Sequence, residues 1–234
     1  MLLGRRTLLR SCLAEFVGTF ALVFAGAGAI MVDAKTGALG HVGVAISFGL
    51  VIMVMIYAVG HVSGAHFNPA VSFAFALTRH FPWPRAGVYW GAQLLGALTA
   101  AAVLRGSLGN VAHIGATLPS GTEAQSFLWE VVLTFFLMFV IMAVATDTRA
   151  VGEAAAIAIG GTVGLDAMFG GPVSGASMNP ARSFGPAVVS GDVHALWIYL
   201  IAPLIGAGVG ALTYQLVRGE DARTAGQGAT GESA

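Results

Sequence analysis

The sequence predicts an all-α membrane protein with six transmembrane helices and two re-entrant half-helices, arranged as an inverted repeat. Three observations lead to this prediction. Only 9% of the 234 residues are charged and 56% are apolar, whereas soluble domains carry about 25% charged residues. The chain contains six apolar runs of spanning length. The segment VSGAHFNPAVSF, from Val62 to Phe73, returns as VSGASMNPARSF, from Val173 to Phe184.

The composition indicates a surface that faces lipid and helices that pack closely. Glycine accounts for 33 of the 234 residues, which is about twice its usual share. Small residues let membrane helices approach one another. The net charge of zero gives no reason to expect a nucleic-acid partner. The single cysteine, Cys12, excludes an internal disulfide and a cysteine-based metal site.

The six predicted spans and the two half-helices follow from the lengths of the apolar runs. A transmembrane helix needs about 20 mostly apolar residues. The spans are predicted at about residues 11–32, 41–60, 85–105, 125–146, 153–170 and 194–217. Segments 68–79 and 179–190 are also apolar, but each would form a helix of roughly 18 Å, against a hydrocarbon core of about 30 Å. We therefore expect both segments to stop part of the way across the membrane.

The basic residues predict the orientation of the spans. One side of the predicted bundle holds most of them, namely Arg5, Arg6, Arg10, Arg79, Arg85, Arg149, Arg218 and Arg223. The other side holds only Lys35 and, near a membrane edge, Arg105. The positive-inside rule then places both termini in the cytoplasm. The polar tail, residues 219–234, is predicted to be disordered.

The repeated segment predicts two helix starts inside the membrane. Each half of the chain holds three spans, an odd number, so the repeats of about 8–106 and 124–218 are inverted within one domain of residues 1–218. Asparagine is a favoured N-cap and proline a favoured first helical residue. The half-helices therefore begin at Asn68-Pro69-Ala70 and at Asn179-Pro180-Ala181. The irregular backbone before each start is tolerated only if it is buried or lines a water-filled cavity, which indicates a pore.

The doubled Asn-Pro-Ala motif resembles that of the aquaporin, or major intrinsic protein, family. The resemblance covers about residues 8–218 and is greatest to the nodulin-26-like channels and their bacterial relatives. It implies a passive channel of the plasma membrane or bacterial inner membrane that conducts water and small neutral solutes. Those solutes would be glycerol, urea or metalloid hydroxides, and ions and protons would be excluded. The family pattern also implies a homotetramer in membrane lipid, with no cofactor and no metal.

The resemblance assigns roles to the residues around the two motifs. Asn68 and Asn179 would offer amide N–H groups to a passing oxygen, and the positive ends of the half-helices would oppose cations. The backbone carbonyls implied to line the path are those of Gly64, Ala65, His66, Gly175, Ala176 and Ser177. Two buried carboxylates, Glu15 and Glu130, would accept hydrogen bonds from the irregular loops.

Four positions match the family's selectivity filter: Phe48, Ala167, Ala176 and Arg182. An arginine inside a membrane is costly and is functional by default, and the matching position in the first half is Val71. A structural ion pair between Arg182 and Asp166 is the alternative interpretation. Strict water channels carry histidine where this chain has Ala167, so the resemblance implies a wider filter.

Three other functions compete with a channel for several solutes. Ser183 and Ala187 match strict water channels, which is the first alternative. A secondary transporter shares inverted repeats and broken helices, but two asparagine amides and positive helix ends are poor ligands for a coupling cation. A non-conducting structural protein would need a plugged filter, whereas Ala167 and Ala176 leave it open. The sequence offers no nucleophile–base pair, metal cluster or phosphate loop, so an enzyme is not predicted.

Overall fold

The computed structural model describes residues 2–146 and 154–218. This part of the chain consists of helices joined by short connections. The helices are α1 (Leu2–Thr36), α2 (Gly40–Ser63), α3 (Pro69–Leu77), α4 (Trp83–Leu108), α5 (Ala112–Gly115), α6 (Glu123–Thr146), α7 (Ala155–Ser174), α8 (Pro180–Ser190) and α9 (Leu196–Val217). Six of them, α1, α2, α4, α6, α7 and α9, are long and apolar enough to cross a membrane. The predicted all-α fold with six spans is therefore confirmed.

The main differences between the observed helices and the predicted spans concern α1, α7 and α5. Helix α1 extends beyond the apolar run at both ends and has 35 residues. Its start is rich in arginine and leucine, which are good helix formers even where they leave the hydrocarbon. Helix α7 continues to Ser174 through Pro172, and α5 lies in a connection where no element is predicted. Arg149 and the tail, residues 219–234, lie outside the described residues.

The two halves pack on each other along α2 and α7. At their crossing, a Cβ atom built on Gly49 would lie 2.6 Å from the carbonyl oxygen of Gly160, and one built on Gly160 would lie 2.6 Å from that of Gly49. Only glycine allows this approach. Within each half, α1 packs against α4 and α6 against α9. The half-helices α3 and α8 each pack against both α4 and α9.

Both half-helices begin at an asparagine with an extended backbone. Asn68 has φ −154° and ψ 121°, and its Oδ1 accepts a hydrogen bond from the Ala70 amide at 2.8 Å. Asn179 has φ −151° and ψ 109°, and its Oδ1 accepts from the amides of Ala181 at 3.0 Å and Arg182 at 3.3 Å. Proline follows each asparagine, as its fixed φ and missing N–H favour at a helix start.

With six alternating spans, the start of α1 and the end of α9 lie at the same end of the bundle, which we call the terminal end. The opposite end, where α4 ends and α6 begins, is called the far end. Helix α3 runs from the middle of the bundle towards the terminal end, and α8 runs from the middle towards the far end. Their N-termini therefore face each other.

Candidate functional site

The two asparagine caps are linked to each other's loops at the middle of the bundle. Asn68 Nδ2 donates to the carbonyl oxygen of Met178 at 2.8 Å, and Asn179 Nδ2 donates to that of Phe67 at 2.8 Å. A primary amide carries two N–H donors. Each asparagine therefore has a second N–H beyond the one used across the repeat, and both side chains border the central cavity.

Two fully buried carboxylates hold the irregular loops in place. Glu15 accepts hydrogen bonds from the amides of His66 at 2.9 Å and Phe67 at 2.7 Å. Glu130 accepts from the amides of Ser177 and Met178, both at 2.8 Å. Each carboxylate also accepts from a hydroxyl, that of Ser63 in the first half and that of Ser174 in the second. Glu15 accepts in addition from Gln93 Nε2 at 2.7 Å. The carboxylates therefore satisfy the amides of these loops inside the protein.

Each of the two loops contains two non-glycine residues with a positive φ, which such residues rarely adopt. Ala65, Phe67, Ala176 and Met178 have φ values of 51°, 50°, 43° and 53°, in the left-handed region that side chains disfavour. Strained backbone of this kind persists only where its surroundings fix it, and it is concentrated at functional sites. The matched positions in the two loops show that the strain is part of the repeat.

The cavity between the half-helices has a volume of about 230 Å³. Of the six residues whose carbonyls are predicted to line the path, five border this cavity: Gly64, Ala65, His66, Ala176 and Ser177. The sixth, Gly175, is not among its lining residues, whereas Met178, which sequence reasoning missed, is. Gly175 is the left-handed C-cap of α7, at φ 87°, and an added Cβ there would meet Thr117.

All four predicted filter residues, Phe48, Ala167, Ala176 and Arg182, border the same cavity. The Arg182 side chain is 2% exposed. Its Nη1 donates to the carbonyl oxygen of Gly115 at 2.8 Å, and its guanidinium carbon lies 4.9 Å from the centre of the Phe48 ring. This distance is within the range of a cation–π contact.

Asp166 is not the partner of Arg182, so the ion-pair interpretation is wrong. Among the described residues, Arg182 is held by a backbone carbonyl and an aromatic ring, and its Nε has no hydrogen-bond partner. Asp166 is itself buried, at 2% exposure, and its Oδ2 also has no partner within the described part of the chain.

The carbonyl that holds Arg182 comes from α5, an element that sequence reasoning missed. Its four residues, Ala112, His113, Ile114 and Gly115, have φ values of 46°, 51°, 57° and 68°, so they form a single left-handed turn. Gly115 could not carry a side chain, since a Cβ atom would lie 2.7 Å from the carbonyl oxygen of Ala27. Two residues further on, Thr117 Oγ1 lies 2.6 Å from Ser183 Oγ of α8.

Metal chemistry finds no support in the described chain. Within residues 2–146 and 154–218, no three histidine, cysteine, aspartate or glutamate side chains are grouped so that they could hold a metal ion. What the arrangement offers is hydrogen-bond donors and acceptors around the central cavity.

Comparison with known proteins agrees with this geometry. The model of the family described as "Major intrinsic protein" matches residues 3–214. The chain belongs to the major intrinsic protein family. It is 55% identical over 213 residues to Aquaporin NIP1-4 of Oryza sativa subsp. japonica, covering 91% of this chain and 78% of the relative. It is 52% identical over 215 residues to Nodulin-26 of Glycine max, covering 91% and 79%.

A solved structure of another major intrinsic protein has the same fold. The aquaglyceroporin from Plasmodium falciparum superposes with a TM-score of 0.80 and 28% sequence identity, over 90% of this chain and 97% of that one. The predicted resemblance to nodulin-26-like channels is confirmed. The protein is an integral membrane channel for water and small neutral solutes, and it is not an enzyme.

Proposed function

We propose that this channel passes glycerol, urea or metalloid hydroxides as well as water, and that it excludes ions and protons. The observation that supports this most is the pair of facing asparagine caps at the middle of one continuous cavity. In this proposal Asn68 and Asn179 each donate an N–H to the oxygen of the passing molecule. A water that accepts both donors has used its two lone pairs and cannot also accept a hydrogen bond from its neighbours in the file, so the chain of hydrogen bonds that would carry a proton is interrupted there.

The same arrangement opposes cations. The half-helices α3 and α8 have nine and 11 residues and direct their N-termini at the cavity, and a helix N-terminus carries about half a positive charge. Arg182 adds a full positive charge at the filter. The carbonyl oxygens of the two loops would accept hydrogen bonds from the solute and replace its hydration.

The filter residues support solutes larger than water. Phe48 is the one aromatic residue of the four. Ala167 and Ala176 each carry only a methyl group as side chain. Arg182 supplies a donor for a hydroxyl or carbonyl oxygen. A channel for water alone is the competing proposal, supported by Ser183 and Ala187, and the solute test below distinguishes the two.

We also propose the setting of the channel in the cell. The terminal end faces the cytoplasm of a plasma or bacterial inner membrane, as the arginines at that end favour. Residues 1–218 form one channel domain, with repeats of about 8–106 and 124–218. Its outer surface contacts lipid, in keeping with exposed side chains such as Leu165 at 60% and Leu95 at 60%, and four copies assemble as a homotetramer with one pore each.

The experiment that tests the solute range is stopped-flow light scattering on proteoliposomes. We expect the permeability to water, glycerol, urea and boric acid to be higher than that of empty liposomes. Permeability to water alone would favour the strict water channel. Uptake that depends on an ion gradient would overturn the channel proposal.

The substitution Ala167→His tests the filter. A larger, polar side chain at this position narrows the passage, so we expect glycerol flux to fall by about tenfold, the effect of 1.4 kcal/mol in the barrier, and water flux to fall less. An equal loss for both solutes would show that Ala167 does not lie at the narrowest point.

A further inference from the structure

The segment that follows α4, residues 109–122, lies along α8 at the far end, and we call it the strap. Three contacts join the strap to α8 and to the residues just after it. His113 Nδ1 lies 3.2 Å from Asp192 Oδ2, the Gly115 carbonyl accepts from Arg182 Nη1 at 2.8 Å, and the Thr117 and Ser183 hydroxyls are 2.6 Å apart. The first contact is at the mouth of the bundle, and the second is at the filter.

The position of the Arg182 guanidinium depends on the strap. Among the described residues, the Gly115 carbonyl is the single hydrogen-bond acceptor for this group, and the Arg182 Nε atom is buried without a partner. Most buried arginines are held by several acceptors, because the fork of five N–H donors is costly to leave unpaired. A shift of the strap would therefore move the guanidinium.

The strap is strained at the residue that reaches Asp192. Left-handed turns made by side-chain-bearing residues are unstable on their own, so the turn Ala112–Gly115 must be held by its contacts. Ile114 is fully buried and packs in the core between α1 and α4. His113 points the other way, with its side chain 56% exposed, and Asp192 is its partner.

Asp192 is well placed to fix the strap relative to the filter. It lies two residues beyond the end of α8, whose first turn carries Arg182. Its backbone amide donates to Ser190 Oγ at 3.3 Å, which attaches it to the helix. The contact with His113 therefore closes a ring that runs from Asp192 through α8 to Arg182, and through Gly115 back to His113.

We propose that His113 and Asp192 are positioning residues for the selectivity filter. Their contact holds the left-handed turn so that the Gly115 carbonyl fixes the Arg182 guanidinium, and it thereby sets the width available to a solute. This inference rests on the proposed role of Arg182 in the filter. Neither His113 nor Asp192 borders the cavity itself.

The test is the ratio of urea to water permeability in proteoliposomes, measured by stopped flow. We expect His113→Ala and Asp192→Ala each to raise this ratio by about two- to fivefold, the range that an exposed pair of this kind can supply. The double variant should match the single variants, because either one already breaks the contact. Asp192→Asn keeps an oxygen acceptor for His113 Nδ1–H and should keep the wild-type ratio.

The matched control is His194→Ala. His194 also contacts a carboxylate at the far end, that of Glu123 at 3.7 Å, but this partner belongs to α6 and not to the strap, and the substitution should leave the ratio unchanged. A wild-type ratio in both single alanine variants, or an equal change in His194→Ala, would overturn the inference while a conducting wild type keeps the proposed function. A wild type that passes no solute would overturn the proposed function.

Discussion

Ala176 borders the cavity at the filter, with φ 43°, whereas the single cysteine, Cys12, is half-buried on α1 and is not among the lining residues. Mercurials bind thiolates, so the native channel should be inhibited only weakly. We expect Ala176→Cys to make water permeability sensitive to mercuric chloride, with recovery after addition of a thiol reductant.

The control for the mercurial experiment is Cys12→Ser in the native background. It should change neither permeability nor the weak response to mercury. Strong inhibition of the native protein, relieved by Cys12→Ser, would place Cys12 against the passage and contradict this assignment.

Glu130 holds two loop amides at once, and a neutral amide cannot do the same. Glutamine offers one oxygen and one NH₂ group. In the Glu130→Gln variant, the backbone N–H of Ser177 or of Met178 therefore faces the NH₂ group, which cannot accept its hydrogen bond. An unsatisfied buried donor costs about 1–3 kcal/mol. We expect a lower midpoint of thermal unfolding in detergent, together with reduced water permeability.

Glu123→Gln is the matched control on the same helix, since the Glu123 side chain is 43% exposed and contacts His194 at 3.7 Å. It should leave both the unfolding midpoint and the permeability close to wild type. A Glu130→Gln variant as stable as Glu123→Gln would show that the loop does not depend on the carboxylate.

Sequence reasoning at the residue scale worked where a residue's chemistry limits it to few roles. An asparagine followed by proline predicts a cap, and a glutamate in an apolar run requires donors, so Asn68, Asn179, Glu15 and Glu130 could be named in advance. Gly115 could not, because its role lies in a backbone carbonyl, which every residue has. The pairing of Arg182 with Asp166 is wrong because position in the sequence says little about which way the faces of neighbouring helices point.

Helices α2 and α7 meet at a pair of glycines, and the neighbouring residue gives a control for that contact. A Cβ atom on Gly160 would lie 2.6 Å from the Gly49 carbonyl oxygen and 2.7 Å from Met53 Cβ, while one on Gly161 meets nothing within 4 Å. We expect Gly160→Ala to push the two helices apart and to lower the unfolding midpoint by several degrees, because overpacking costs about 1–3 kcal/mol.

The substitution Gly161→Ala should instead be neutral or slightly stabilising, since alanine is the better helix former. Both variants are compared by thermal unfolding in detergent. Equal midpoints would mean that α2 and α7 can separate slightly at no cost.

Elements were predictable to the extent that local sequence fixes them. Length and apolarity predicted six spans, and Asn-Pro at the start of two short apolar runs predicted α3 and α8. The turn α5 was missed because three of its four residues carry side chains that disfavour the left-handed region. It exists because Ile114 is buried, Gly115 packs on Ala27 and Arg182 needs an acceptor, and none of these contacts is visible in the local sequence.

The whole molecule directs two positive helix ends at one cavity from opposite sides. The inverted repeat is sufficient to produce this arrangement. A two-fold axis in the membrane plane relates the two halves, so equivalent helix ends come together at that axis. The two halves differ at the position of Arg182, whose counterpart in the first half is Val71. In the function proposed here, the repeat accounts for the exclusion of charge, and the filter residues account for the choice among neutral solutes.

The most direct test of this account is one proteoliposome experiment that follows water and protons together. Liposomes loaded with a pH-sensitive dye are divided into two samples. One is exposed to an osmotic jump, which reports water flow, and the other to a pH jump with a membrane potential, which reports proton flow. We expect rapid shrinkage with a weak dependence on temperature, and a proton flux equal to that of empty liposomes. A proton or cation conductance that rises with the amount of protein, or water flow that depends steeply on temperature, would contradict the account.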